Sequence, residues 1–252
     1  AGGLAAASWP PGASSAPNDP IYVATPASAL PAVLQSISPE RLPDVVLCSA
    51  GMVRQIAAEA CGRAAAERMT VAVLYFGVLE RGAAPVAGEG APPTVVAGRH
   101  ASHVIEVLRR CGLRCEEVAD APRVDEAAGV KLLWSCCMWL LCHARGCTVS
   151  EVHAAHSAEL AALVAELARE LPTCHGGGGG GRGGVRSASE VRGLLDRLEA
   201  YSLSMPSVVP SKELALAELE HRNLWFRRRG VANGRPQPLH AALLEELGCA
   251  TC

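Results

Sequence analysis

The chain has 252 residues, half of them hydrophobic, and a net charge of -2 from 23 basic and 25 acidic side chains. That length and apolar share allow a sizeable core in one large or two ordinary domains, and the mixed charge offers no basic field for nucleic acid, the Arg227–Arg229 run being too local to supply one. The longest apolar stretch, LLWSCCMWLLC (132–142), stops short of the ~18 to 20 residues of a membrane span, so a soluble protein is expected.

Residues 1–19 are Ala, Gly, Ser and Pro with hardly a branched side chain, which reads as a flexible lead and not as a core strand. From Ile21 short apolar runs alternate with helical patterns. IYVAT (21–25), VVLCS (45–49) and TVAVLYF (70–76) read as strands, with helices around 29–36 and 52–63 between them. A Gly/Pro-rich link (82–93) leads to TVVAG (94–98), a helix around 102–111, and RCEEV (114–118). Strand–helix alternation of this kind predicts an α/β domain over 20–123, a partial Rossmann-type parallel sheet. Ligands in such sheets lie beyond the carboxyl ends of the strands, which nominates Thr25 and Gly51 as weak cofactor-binding candidates.

From 124 to 252 the pattern is helical only, over about 125–145, 149–171, 187–201, 211–229 and 237–247, predicting an all-α C-terminal domain. Ser150 is the expected cap of the second of these helices, and Ser211, with Glu213 in the first turn, caps the fourth. The glycine tract at 174–184 lacks a preceding strand and a Gly-Lys-Ser/Thr ending, so it reads as a linker and not as a phosphate loop.

Eleven cysteines, several in apolar runs (Cys48, Cys136, Cys137, Cys142), read as reduced thiols of an intracellular, reducing compartment. The one CxxC, Cys249–Cys252, lacks a second ligand pair, and no metal site is expected.

The segment with most chemistry is GVKLLWSCCMWLLCHARGC (129–147). Lys131, Ser135 and Trp139 fall at i, i+4 and i+8, so ammonium, hydroxyl and indole share one face of an apolar helix. Two readings stand: a lysine desolvated against a cleft, whose proton becomes easier to give up, and a lysine that snorkels its amine to water. Downstream, Glu218, Arg222 and Trp225 fall on one helical stripe, with Glu218–Arg222 as an ordinary surface pair.

Lys131 opening an apolar helix, followed about 70 residues later by Ser204-Met205 and then by Glu218 and Asn223 on one helix, resembles ketopantoate reductase (2-dehydropantoate 2-reductase). The resemblance covers about residues 20–247. It implies a Rossmann domain binding NADPH joined to a helical domain like the C-terminal domain of 6-phosphogluconate dehydrogenase, with a 2-keto acid or related carbonyl reduced between them. By position Lys131 is similar to the family's catalytic lysine and Glu218 to the glutamate near it, while Ser135, Ser204 and Asn223 stand at substrate-binding positions. A small-molecule substrate is implied, and a homodimer is a possible assembly. The sequence departs from the family at Ser49-Ala50-Gly51, where Gln-Asn-Gly is usual, and at Ser135 and Trp139, where asparagines are usual. It also shows no opening strand with a G-x-G-x-x-G turn, so the expectation is of a shortened N-terminus. The alternative is a non-catalytic relative acting as an interaction or regulatory protein.

Overall fold

The computed structural model describes residues 18–77, 84–85, 87–172 and 186–249. Most of the lead at 1–19, the glycine tract at 174–184 and Cys252 lie outside the described residues. Within them, β1 (Ile21–Val23) leads through a 3-10 turn (Ala27–Ala29) to α1 (Leu30–Gln35), then by another such turn (Pro39–Asp44) to β2 (Val45–Leu47). Helices α2 (Val53–Cys61) and α3 (Arg63–Ala66) connect to β3 (Thr70–Val73), followed by β4 (Thr94–Ala97), α4 (Ala101–Arg110) and β5 (Cys115–Glu117). The helical part holds α5 (Ala121–Arg145), α6 (Val149–Ala155), α7 (Ser157–Leu167), α8 (Ala188–Leu203), α9 (Lys212–Ala217), α10 (Asn223–Ala232) and α11 (Pro238–Glu246).

The strands form one sheet in the order β1-β2-β3-β4-β5. Pairs β1–β2, β2–β3 and β4–β5 are parallel, each joined by a helical crossover; β3–β4 is antiparallel, with Val71 opposite Ala97. The sheet is therefore mixed where a parallel one was expected. A parallel return needs a crossover of a dozen or more residues, usually helical, and the described residues between β3 and β4 contain no helix. At the end of β4, Gly98 adopts φ +120°, and a Cβ there would lie 2.7 Å from the Thr70 Cα, so only glycine lets the chain turn this close to β3.

Alternation along the strands assigns the two faces. Val45, Leu47, Val71 and Val73 enter the main core, while Val46, Ala72 and Val96 meet Ala101, Val104 and Ile105 of α4 on the other side. The main core runs without a break through α5, whose buried side chains point in every direction. Length and composition alone would let α5 cross a membrane, yet 78% of its most apolar window is buried inside the fold. Asp120 caps it by accepting from the Arg123 N–H at 3.0 Å, Pro122 sits in the first turn where its missing N–H costs nothing, and Gly146 at φ +62° ends it.

Two expected helices are broken. The run at 149–171 splits at His156, and its cap is Thr148, paired reciprocally with Glu151, instead of Ser150. The run at 211–229 starts at the expected Ser211 cap but breaks at a 3-10 turn, Leu219–His221.

Candidate functional site around Lys131

Lys131 stands where α5 crosses from the sheet to the helical part. Its ammonium donates to the Leu74 carbonyl just beyond β3 and lies 5.5 Å from the centroid of the Tyr75 ring. Burial is the main reason its pKa falls to about 8, and the Arg222 guanidinium adds to the effect. The desolvated reading of this lysine is the one the fold produces.

The space on its two sides differs. On the β4–β5 side is a recess of about 340 Å³ between the sheet and α8, walled by Tyr75, Trp134, Arg197 and Tyr201, with Glu116 at the sheet edge. The rings form a cluster: Tyr75 meets Tyr201 edge-on at 4.9 Å, and Tyr201 lies 4.5 Å from Trp134. Burial pushes both tyrosines up to about 12, so their hydroxyls stay protonated and the walls stay neutral. Trp134 is fixed by donating to Ser202 Oγ at 2.8 Å, and Ser202 in turn contacts His153 and the Leu198 carbonyl.

On the other side, beyond the ends of β2 and β3, the gap lined by Ser49, Gly51, Leu74 and Lys131 is only about 10 Å³. The chain itself closes it. Glu218 Oε1 accepts from the Ala27 N–H at 3.3 Å, and Glu218 Oε2 accepts from Arg222 Nε at 2.8 Å. A Cβ on Gly51 would meet the His221 carbonyl at 3.4 Å, and Trp225 Nε1 donates to Gln55 on α2 at 3.1 Å. Glu218 and Arg222 are therefore a buried latch between the two parts of the fold, with side chains 7% and 16% exposed, where an ordinary surface pair was expected. Glu218, the residue at which the helix breaks, is thus bonded to the 3-10 turn that follows β1.

The candidate residues are not gathered at one point. Thr25 Oγ1 is buried without a partner among the described residues, while its carbonyl accepts from Ser49 Oγ at 2.6 Å. Ser135 Oγ donates back to the Lys131 carbonyl at 3.0 Å, so its hydroxyl serves its own helix. Ser204 donates to the Tyr201 carbonyl at 2.7 Å as the end cap of α8. Asn223 is buried in the helical part against His240 at 2.9 Å, and burial there holds that imidazole down at about 3, hence neutral. Glu218 and Lys131 share no hydrogen bond or ion pair among the described residues; Arg222 is bonded to the one and acts electrostatically on the other. The indole N–H of Trp139 is buried without an acceptor among the described residues. Sequence reasoning missed Tyr75, Trp134, Arg197 and Tyr201. Their signals were Trp134 three residues after Lys131, and Arg197 with Tyr201 at i, i+4 on α8.

A nicotinamide cofactor must place its ring beyond the strand ends, and a gap of about 10 Å³ has room for about one water and no ring. As arranged, the described residues do not fit it.

No protein-family model matches the chain, and no curated protein matches it. Solved structures do. A PanE/ApbA family ketopantoate reductase from Ralstonia eutropha JMP134 is similar over 90% of this chain and 75% of that one, with TM-score 0.61 and 15% identity. The probable 2-dehydropantoate 2-reductase of Bacillus subtilis matches over 92% and 77%, with TM-score 0.63 and 12% identity. The fold is that of the ketopantoate reductases. The complex of D-mandelate dehydrogenase with NADH is similar as well, over 91% and 77%, with TM-score 0.61 and 16% identity. The ketopantoate-reductase fold accounts for the sheet followed by helices, and at these identities it speaks for architecture alone.

Proposed function

We propose that the chain takes a small 2-keto acid or related carbonyl beside Lys131 as an oxidoreductase of ketopantoate-reductase type, with a nicotinamide dinucleotide, NADPH as the resemblance implies. The observation that carries this reading is the Lys131 ammonium, set on a buried helix between sheet and helices with its pKa drawn down to about 8. Such a donor hydrogen-bonds an oxo oxygen near neutral pH and gives up its proton readily, and a cation beside a developing alkoxide stabilises the transition state more than the ground state. The cofactor would contribute the hydride. Because the strand-end gap does not admit its ring, no step is assigned through it; loading requires the Leu219–His221 turn to withdraw from Ala27 and Gly51. An intracellular, reducing compartment belongs to the same proposal, on the cysteine-bearing apolar runs of the sequence alone.

The same closed gap favours a second reading, a relative that binds a ligand without reducing it. Titrating the full chain with NADPH and NADH, followed by cofactor fluorescence and by cofactor consumption with 2-oxo acids, separates the two. Saturable binding with turnover supports the reductase. No binding of either cofactor supports the second reading.

A further inference from the structure

We propose that the recess on the β4–β5 side of Lys131 binds an aryl-bearing 2-oxo carboxylate, with the oxo oxygen on the Lys131 ammonium, the carboxylate on Arg197 and the ring among Tyr75, Trp134 and Tyr201. This rests on the reading of Lys131 as a carbonyl donor, and it names the ligand class and the side from which the ligand comes. The residues carried over by resemblance, Ser135, Ser204, Glu218 and Asn223, do not wall this recess.

Size, charge and wall chemistry agree. At about 340 Å³ the recess falls within the ~300–1,000 Å³ range of small-molecule sites. Lys131 and Arg197 bring two cationic donors to the recess; Glu126 holds one amino nitrogen of Arg197 and Glu116 stands at the edge, so a ligand carboxylate takes the guanidinium N–H groups that Glu126 leaves open. Lys131 uses one of its three N–H bonds on Leu74. Arg197 engages Glu126 through one amino nitrogen at 2.7 Å, and its side chain is 45% exposed, so its planar fork can be turned toward a carboxylate in the recess. Three aromatic rings, each under a tenth exposed, form part of the wall beside Pro92, Pro93 and Val95. An aryl group there makes edge-to-face contacts, each worth a factor of about two to ten in affinity beyond simple burial. An aliphatic side chain makes none of them. The α5 residues on this wall, Ala127, Val130, Lys131 and Trp134, fall at i, i+3, i+4 and i+7, so one helical stripe presents the ammonium and the indole together.

Calorimetric titration of the full chain near neutral pH with phenylpyruvate, pyruvate and phenylacetate tests the assignment without any cofactor. Phenylpyruvate should bind at least about tenfold more tightly than pyruvate, which lacks the ring, or phenylacetate, which lacks the oxo group. Arg197→Gln should weaken phenylpyruvate about tenfold or more, and Ala200→Phe, at an exposed position on the mouth, should abolish binding. Circular dichroism of both surface variants checks that the fold is intact. Equal affinity for phenylpyruvate and pyruvate, no saturable binding, or an Arg197→Gln chain that binds as before would each overturn the proposal. Binding of phenylpyruvate with no cofactor consumption sinks the reductase reading and keeps this site. Turnover of 2-oxo acids with kcat/KM indifferent to Arg197→Gln does the opposite.

Discussion

The two sides of Lys131 are built from the same helix and the same strand end, yet one is open and the other shut. Toward β4 and β5, aromatic side chains hold the sheet and α8 apart and leave about 340 Å³. Toward β1 and β2, the Glu218–Arg222 latch pulls the helical part onto the strand ends and leaves about 10 Å³. Large rings that pack edge-on keep elements apart, whereas a carboxylate that accepts a backbone N–H from the facing element, as Glu218 does from Ala27, draws the two together. A catalytic residue type at the expected position therefore does not say from which side a ligand reaches it.

The largest expected effect is at the residue both sides share. Lys131→Ala should lower kcat for 2-oxo acid reduction by about 10²-fold, the scale of a lost general acid, in a steady-state assay. Unchanged turnover would return the lysine to a structural role. The shut side is probed next: Glu218→Ala strands the Arg222 guanidinium and frees the Ala27 N–H, and should cost about 2 kcal/mol in denaturant unfolding while admitting a nicotinamide cofactor more easily. A loss of stability with no gain in cofactor affinity would mean that the latch only fastens the fold.

The open side is sensitive to pH. Lys131 is charged below about 8 and neutral above it, so affinity for a 2-oxo acid should fall about tenfold per unit as pH rises beyond 8. Stability should move the other way. Between pH 8 and 10.5 the unfolded chain keeps a proton that the folded chain has released, so unfolding free energy rises with pH through that window. Lys131→Met should remove both trends. The smallest effect is expected at Ser135→Ala, within about 0.5 kcal/mol of wild-type stability and with unchanged ligand affinity, because its hydroxyl only back-bonds its own helix. A large loss of affinity there would restore Ser135 to the site.

Much of the architecture was legible in the sequence because alternation and apolar runs record which faces are buried. VVL at β2 and TVAV at β3 are continuous because central strands are covered on both sides. The direction of β4 is not written in the strand itself but in the link before it, since the Gly/Pro-rich 82–93 offers no helical crossover for a parallel return. Lys131 stood out as the first charge before a long apolar helix, and its depressed pKa followed from the burial that the helix imposes. The aromatic wall did not, because Tyr75 comes from the sheet and Arg197 and Tyr201 from α8, and only tertiary packing brings them to Trp134. Glu218 and Arg222 were legible as a pair, but their burial was not. The i, i+4 spacing looks the same on a solvated helix and at a break drawn toward Ala27.

Helix α5 runs 25 residues without interruption, resting on β3 and β4 near its start and on α7, α8 and α11 further along. Mechanically it is an axle through both lobes. A rod with fifteen buried residues cannot bend without opening the core, so the lobes cannot clap together about the junction between them. The segment from Ser204 to the broken turn at Leu219–His221 is tied to that rod where His143 meets the Pro210 carbonyl at 2.8 Å, and to the start of α6 where the Val149 and Ser150 N–H groups donate to the Val208 and Pro206 carbonyls. Widening the strand-end gap therefore falls to the turn itself, and Lys131, on the rod, would keep its place.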